Sequence, residues 1–548
     1  MTRSDCKVSA LRRSIPFAGV LSLMLLLPQS MIHGQHLVRS GVEAQAGDSS
    51  YTEDEKQPEL NPPRWFKLSG TYGSGGQFSS QIVMADLNGD GHPDLLVANV
   101  CASDDNCNQG TPTNHATVGV LLGNGDGTFQ TTIPYDSGGF FARSLAVGDV
   151  NRDGKLDLLV SICSDANCAT VSVLLGKGDG SFQPPLFSAG GLNGSPMTIA
   201  DVNGDGKPDL LMASAGTTIG VMRGNGDGTF KPALSYSSGG ENPLSIAVAD
   251  LNGDGKPDLV VGNQCPISDN GFCPNSVVGV MLNNGHGAFP TVVSYSSGGS
   301  GIFSTSTADL NGDGKADVVV SNNCGNFNQC ARGNVGVLTG NGDGTFQPAQ
   351  DYSSGGNWAV DGAAADVNAD NKIDLLALDE CSPCTNGKLG VLLGNGDGTF
   401  QAAALYATGG YRATSMAVGD VNGDGKPDVA VANFCVSKTA CGTGTVGILL
   451  AVRQRTVTQV KTSGSPSVVG QPVTFTAIVL AHAATVPDGE IVTFFDGTKE
   501  IGTGATAGGM AMFTTSSLTA KTHTIRATYP GDAVYKPSTG IVKQVVEP

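Results

Sequence analysis

Basic residues are scarce: 31 Lys and Arg stand against 49 Asp and Glu in 548 residues, a formal net charge of −18. No stretch gathers them into the basic stripe that a phosphate backbone requires, which excludes nucleic acid as a partner. Histidine is scarcer. Only His92, His115, His286, His482 and His523 lie beyond the first 36 residues. None recurs beside an Asp/Ser or Lys/Arg set, so no acid/base constellation is visible, and none accompanies a cysteine pair as a zinc site would require. After Leu27 no apolar run is long enough to span a bilayer.

Glycine, with 78 residues, and aspartate dominate instead, and they recur together. The cleanest instance is Asp250, Leu251, Asn252, Gly253, Asp254, Gly255, Lys256, Pro257, Asp258. Side-chain oxygens at positions one, three, five and nine, with glycine at six for the sharp turn, suit a hard cation held in a tight loop. The expected ligands are Asp86, Asn88, Asp90 and Asp94 in the first copy, and Asp149, Asn151, Asp153 and Asp157 in the second. Asp201, Asn203, Asp205 and Asp209 follow in the third, and Asp250, Asn252, Asp254 and Asp258 in the fourth. The last three are Asp309, Asn311, Asp313 and Asp317; Asp366, Asn368, Asp370 and Asp374; and Asp420, Asn422, Asp424 and Asp428. A single copy would read as an ordinary surface turn. Seven copies, each with a carboxylate three residues past the turn, point to Ca2+ at up to seven sites. Seven divalent ions would take the formal charge from −18 to about −4, so the acidity serves the metal rather than a basic partner. The loops lack the Glu at position 12 that closes an EF-hand, and alternating apolar residues flank them, so each sits in a β-hairpin.

Thirteen cysteines fit an oxidising compartment. Beyond Cys6 they fall into six close pairs, Cys101/Cys107, Cys163/Cys168, Cys265/Cys273, Cys324/Cys330, Cys381/Cys384 and Cys435/Cys441. Closing so short a loop is worth roughly 2 kcal/mol, which makes each pair a local staple. Residues 1–35 read as an export signal: Arg3, Lys7, Arg12 and Arg13 precede an apolar run from Ile15 to Leu27. Cleavage near Gln35 or after Ala46 fits equally, and an uncleaved anchor is the alternative. Residues 36–62, rich in Glu, Ser, Asp and Pro, read as a flexible linker.

Between residues 63 and 453 the unit repeats every 49 to 63 residues. In the best copy Ser245 to Ala249 alternates as a strand, the Asp250 loop turns it into Leu259 to Val261, and a cysteine loop leads to Val277 to Leu282. A glycine turn then gives Phe289 to Tyr295, followed by Ser296-Ser297-Gly298-Gly299. Four antiparallel strands per unit predict an all-β propeller of seven blades. The last copy lacks its fourth strand, while Trp65 to Tyr72 precedes the first loop, so the N-terminal segment is expected to close the ring and leave no open sheet edge. The strand order puts metal loops and glycine turns on one rim, and cysteine loops with Ser-Gly-Gly connections on the other. The second rim carries the variation, as recognition loops do on a rigid scaffold. The glycine-turn Asp, such as Asp126 or Asp397, reads either as a satisfied turn residue or as a group supporting the metal loop. From residue 454 metal loops and cysteines stop. Val473 to Val479, Glu490 to Phe495, Ala511 to Thr515 and His523 to Tyr529 then alternate as in a β-sandwich.

The seven DxNxDGxxD loops with their GNGDGTF turns resemble the FG-GAP/VCBS repeats of integrin-alpha-type β-propellers. That resemblance implies calcium at the Asp, Asn, Asp and Asp of each loop. Two loops depart: Asn371 replaces the glycine at position six, and Arg152 occupies position four. Val469 to Phe475, Val492 to Gly497 and Ala527 to Asp532 resemble bacterial Ig-like domains, which implies a spacer or adhesive module on a secreted or surface protein. The combined reading is a secreted or cell-surface, non-catalytic binding module for an extracellular glycan or protein, with the Ig-like domain as stalk. A carbohydrate-active enzyme of the polysaccharide-lyase kind, using Tyr and Arg, is the alternative.

Overall fold

The computed structural model describes residues 65–548 apart from 103–114, 164–169, 190–195, 215, 268–274, 326–331, 382–385, 438–442, 482–483 and 533. The export signal, the linker, His482 and the second cysteine of every pair lie outside the described residues. Among the described residues there is no helix long and apolar enough to cross a membrane.

Seven separate four-stranded sheets follow one another along the chain, and all their pairings are antiparallel. The fourth blade runs Glu241–Ala249, Asp258–Cys265, Val277–Met281 and Val292–Ser296. Burial separates the four roles. The two middle strands, such as Asp258–Cys265 and Val277–Met281, are buried on both faces over nearly their whole length. They read as continuous Val/Leu runs because a neighbouring blade covers each face. The fourth strand lies at the perimeter and is largely exposed. The first strand is half-buried and hydrogen-bonds to the first strand of the next blade: Gln81 Oε1 accepts from Leu145 N at 2.7 Å, Ser245 Oγ from Thr305 N at 2.8 Å, and Asp361 Oδ2 from Met416 N at 2.9 Å.

The ring closes as the repeat count predicts. Phe66–Gly73 pairs with Thr445–Ala451 and completes the seventh blade. At most seams a strand-four Tyr meets the glycine-turn Phe of the next blade edge to face: Tyr72 on Phe129, Tyr236 on Phe289, Tyr295 on Phe346 and Tyr352 on Phe400, with centroids 5.3 to 5.7 Å apart. Such contacts add about 0.5–1.5 kcal/mol each beyond area burial. The seventh blade has no glycine turn, and the N-terminal segment supplies its ring as well as its strand. Phe66 packs on Tyr406 at 5.8 Å, and Trp65 N donates to the Tyr406 hydroxyl at 3.0 Å, as Phe129 N donates to Tyr72.

Residues 456–547 form the curled sheet of the Ig-like unit around Phe475, Phe494, Ile525 and Tyr529. Four of its strands, Val473–Ala481, Ile491–Asp496, Met510–Thr515 and Thr522–Tyr529, coincide with the alternating segments of the sequence. Thr456–Thr462, Lys499–Ala507 and Ser538–Glu547 do not stand out there, because threonine, lysine and glutamate break their apolar alternation. The unit touches the propeller directly: Gln454, buried at the junction, donates from N to Val534 O and accepts from Lys536 N, both at 2.7 Å, and Val534 packs against the cluster containing Trp65 and Phe66.

Under each Ser-Gly-Gly connection of four blades lies a buried amide. Asn99, Asn263, Asn322 and Asn433 donate from Nδ2 to the carbonyls of Ser74, Ser238, Ser297 and Thr408 at 2.9 to 3.3 Å. The sixth blade has Asp379 at this register instead, accepting from Ser354 Oγ at 2.6 Å, and burial pushes its carboxyl up to about 7. A folded-state value above the unfolded one means that the folded protein holds the proton more tightly. The associated stability is complete below about pH 4 and is lost as pH rises through about 7. Asp379→Asn is therefore expected to be neutral near pH 4 and to stabilise the propeller by roughly 2–4 kcal/mol at pH 8. Urea unfolding across that pH range checks it, and equal effects at both ends would count against a raised carboxyl.

Candidate metal centres

Each nine-residue loop joins strand one to strand two of its blade, and its turn is built by the aspartate at position one. In the fourth loop Asp250 Oδ1 accepts from Gly253 N at 2.8 Å and Asp254 N at 3.1 Å, while Oδ2 accepts from Gly255 N at 2.8 Å. Asn252 Oδ1 accepts from the same Asp254 N at 2.9 Å, and Asp254 Oδ1 accepts from Lys256 N at 3.0 Å. The bond from position six to position one recurs in all seven loops at 2.7 to 2.9 Å. Positions four and six take positive φ in every loop. Asn371, at φ 63°, makes the same bond as the glycines and keeps the sixth loop in shape. Arg152 and Ala369 occupy position four at φ 63° and 57°. Sequence reasoning missed that constraint at Ala369, though the glycine of the other loops is its signal.

Position nine is placed differently from the other three. Asp94, Asp157, Asp209, Asp258, Asp317, Asp374 and Asp428 are buried to within 1%. One carboxylate oxygen accepts from the amide of position two: Leu87 N to Asp94 at 2.9 Å, Leu251 N to Asp258 at 3.1 Å, Val421 N to Asp428 at 3.1 Å. The other accepts from the residue that opens the glycine turn, Gly123 N to Asp94 at 2.8 Å and Asn283 N to Asp258 at 2.7 Å, and in the seventh blade, which has no such turn, from Ala451 N to Asp428 at 2.7 Å. The same pair of bonds holds in the remaining four loops. A carboxylate past the glycine thus has structural work in the hairpin, and its invariance does not by itself argue for a cation. Burial raises all seven carboxyls, those of Asp374 and Asp428 to about 7.

The loop side chains accordingly divide into two groups. Positions one, three and five share N–H partners on the open side of the turn. Their donor set of two carboxylates and an amide oxygen fits a hard cation there. The amide of His92 holds Asp90 below the usual carboxylate range, and Lys256, 3.0 Å from Asp254, does the same for that residue. Position nine sits behind them. In the third loop Asn203 bridges the two groups, donating to Asp209 Oδ2 at 2.8 Å. Among the described residues no three His, Cys, Asp or Glu side chains gather as a ready metal cluster. The glycine-turn Asp is a satisfied turn residue: Asp126 Oδ1 accepts from Thr128 N at 3.0 Å and Thr128 Oγ1 at 2.5 Å. The turn reaches the preceding blade through its backbone, as Gly127 N does to Val421 O and Gly344 N to Leu251 O, both at 3.0 Å.

Residues 86–160, 162–212, 201–261, 270–320 and 366–431 match the model of the FG-GAP-like repeat. The chain belongs to the FG-GAP-like repeat family. Its FG-GAP-like repeats span the blades, and residues 460–547 match the bacterial Ig-like domain, group 3. No curated protein matches the chain. At the seventh repeat the two parts meet around a cavity of about 270 Å³ lined by Asp424, Lys426, Arg453, Gly531 and Asp532.

Two substitutions separate the roles of the loop positions. Asp258→Asn leaves one backbone N–H facing an amide donor and is expected to cost about 2–3 kcal/mol. Ala369→Gly relieves a Cβ held at positive φ and should stabilise by about 1 kcal/mol. Denaturant midpoints at constant m-value read both.

Proposed function

We propose that this protein is a secreted or cell-surface calcium-binding β-propeller that acts as a non-catalytic binding or adhesion module for a glycan or protein, with the Ig-like domain as its stalk. The observation that carries the reading is the difference between the two rims. On the loop rim the bonds from position six to position one and those to the position-nine carboxylate recur in all seven blades, whereas the sequence of the opposite rim differs from blade to blade. A scaffold with one uniform and one variable face is the arrangement that recognition uses. Export is supported by the apolar run after the N-terminal arginines and by the cysteines of the repeats, which are proposed to form disulfides in an oxidising compartment. The local pairs named by the spacing are the proposed partners.

Calcium is proposed at the Asp, Asn and Asp of positions one, three and five, with the position-nine carboxylate contributing charge from behind. A dissociation constant of roughly 0.1–1 mM suits an extracellular site, and at millimolar free ion each loop would gain about 0.4–1.4 kcal/mol. Catalysis lacks comparable support. His523 is bonded to Asp496 Oδ2 at 2.7 Å and Thr519 O at 2.8 Å inside the Ig-like unit, and half-buried His115 is paired with Asp136 at 3.0 Å.

Chelation is expected to lower the unfolding midpoint by on the order of 5–10 °C, reversed by millimolar calcium but not by sodium; an unchanged midpoint would remove the metal from the reading. Incubating the full chain with a glycan panel, while assaying both binding and product release, tests the function. Retention without turnover supports a binding module, and released unsaturated sugars would replace it with the lyase alternative.

A further inference from the structure

In five of the seven loops the position-three asparagine is followed by glycine: Asn88-Gly89, Asn203-Gly204, Asn252-Gly253, Asn311-Gly312 and Asn422-Gly423. The other two loops carry a side chain there, Arg152 after Asn151 and Ala369 after Asn368. Asparagine is thermally labile because the next backbone nitrogen can attack its side-chain carbonyl carbon. A following glycine removes the Cβ that crowds this attack. All five glycines are exposed, and a Cβ built on any of them meets nothing within 4 Å, so the reacting side of each pair is open.

The loop hydrogen bonds prepare both reacting groups in three copies. In the fourth loop Gly253 N, the nucleophile, donates to Asp250 Oδ1 at 2.8 Å, which puts a base on the proton to be removed. Asn252 Oδ1 accepts from Asp254 N at 2.9 Å, so the carbonyl under attack is already polarised by a donor that can hold the developing oxyanion. The first and fifth loops repeat both bonds: Gly89 N to Asp86 and Gly312 N to Asp309 at 2.8 Å, Asp90 N to Asn88 and Asp313 N to Asn311 at 2.9 Å. The third and seventh loops keep one each. Gly204 N is on Asp201, but the Asn203 amide is drawn to Asp209; Asp424 N is on Asn422, but Asp420 Oδ1 takes the amides of Asn422 and Asp424 instead of that of Gly423. The glycine turns also contain Asn-Gly, as at Asn124, Asn225, Asn341 and Asn395. There Nδ2 is anchored to a threonine hydroxyl at 2.8 Å, and among the described residues no carboxylate accepts from the following glycine.

We propose that Asn88, Asn252 and Asn311 are sites of self-modification: in the ion-free loop each cyclises with the following glycine and ends as aspartate or isoaspartate, and calcium in the loop prevents it. The glycine nitrogen bonds to Cγ as its proton passes to the position-one carboxylate. The Cγ–Nδ2 bond then breaks, and Nδ2 takes up that proton and leaves as ammonia. Water opens the resulting five-membered imide, giving aspartate by attack at the side-chain carbonyl and isoaspartate by attack at the main-chain carbonyl. No change of oxidation state is involved. The cyclisation rests on the hydrogen bonds alone, whereas the protection rests on the metal reading above, in which the asparagine oxygen and the position-one carboxylate serve the ion and are withdrawn from the reaction. Isoaspartate lengthens the loop backbone by a methylene and moves position three out of the donor set, so the modification records irreversibly the time that a loop has spent empty.

The full chain is incubated in mildly alkaline buffer, with chelator or with calcium, and its peptides are mapped by mass spectrometry that separates aspartate from isoaspartate. In chelator, conversion at Asn88, Asn252 and Asn311 is expected to be about tenfold or more faster than at Asn151 and Asn368, which occupy the same loop position without a following glycine. Calcium should suppress it. Gly253→Ala, an exchange that the sixth loop shows this register to accommodate, should stop conversion at Asn252 and leave Asn311 unchanged as the internal reference. Equal conversion at Asn151 and Asn368, or at Asn124 and Asn395 of the glycine turns, would overturn the assignment to loop geometry. Conversion as fast in calcium as in chelator would overturn the protection and leave the cyclisation standing. No conversion at the three sites would overturn the proposal, while the chelator dependence of the unfolding midpoint would still judge the metal reading on its own.

Discussion

The structure depends on a buried carboxylate repeated seven times. At position nine of each loop an aspartate accepts two backbone N–H groups, one from its own loop and one from the start of its blade's strand three to four turn, as Asp258 does with Leu251 and Asn283. Without it the loop would have two orphan donors in a buried place, each costing about 1–3 kcal/mol. The bond to the glycine turn matters most, because that turn continues outward to the next seam. Gly127 N reaches Val421 O of the preceding blade, and Phe129 of the same turn receives Tyr72. Loop, turn and seam form one connected rim, and the blades are held in register by backbone amides rather than by side-chain fit alone.

Closure follows the same rule with different parts. The seventh blade has no glycine turn, so Asp428 anchors the amide of Ala451 directly, and the strand containing Ala451 pairs with the N-terminal segment. Phe66 then fills the place of the missing turn phenylalanine against Tyr406. A last blade completed by the N-terminal strand ties together the two ends of a propeller of nearly 400 residues. The seam with least aromatic support lies between the second and third blades, where Phe187 is 60% exposed.

The blade count and the closure are legible in the sequence because they rest on spacing: seven loops and one orphan strand admit few arrangements. The division of labour inside the loop is not, since an aspartate that ligates and one that accepts backbone amides are the same letter. Spacing alone marks Asp94 and Asp258 as candidate ligands, and only the structure adds that each is buried and accepts backbone amides of the hairpin. Backbone strain is equally silent. Phe78, Phe141 and Trp358 read as ordinary strand residues, and only their φ values distinguish them. In the C-terminal unit the strands that alternate cleanly, such as Val473–Ala481, are readable, while Lys499–Ala507 is hidden by its charged and glycine positions.

The two rims are not independent surfaces. Gln77–Ala85 takes positive φ at its second residue, Phe78, and ends one residue before Asp86 of the first loop, and the inner strands of the second, fourth, fifth, sixth and seventh blades do likewise, the fifth with a glycine at that position. A bulge after the strained residue and the position-nine carboxylate at the far end pin each strand at both ends. Positive φ at a bulky residue persists only where its surroundings over-determine it, and the loop end supplies part of that determination. Loosening a loop would therefore relax the strand toward its own preference at its opposite end.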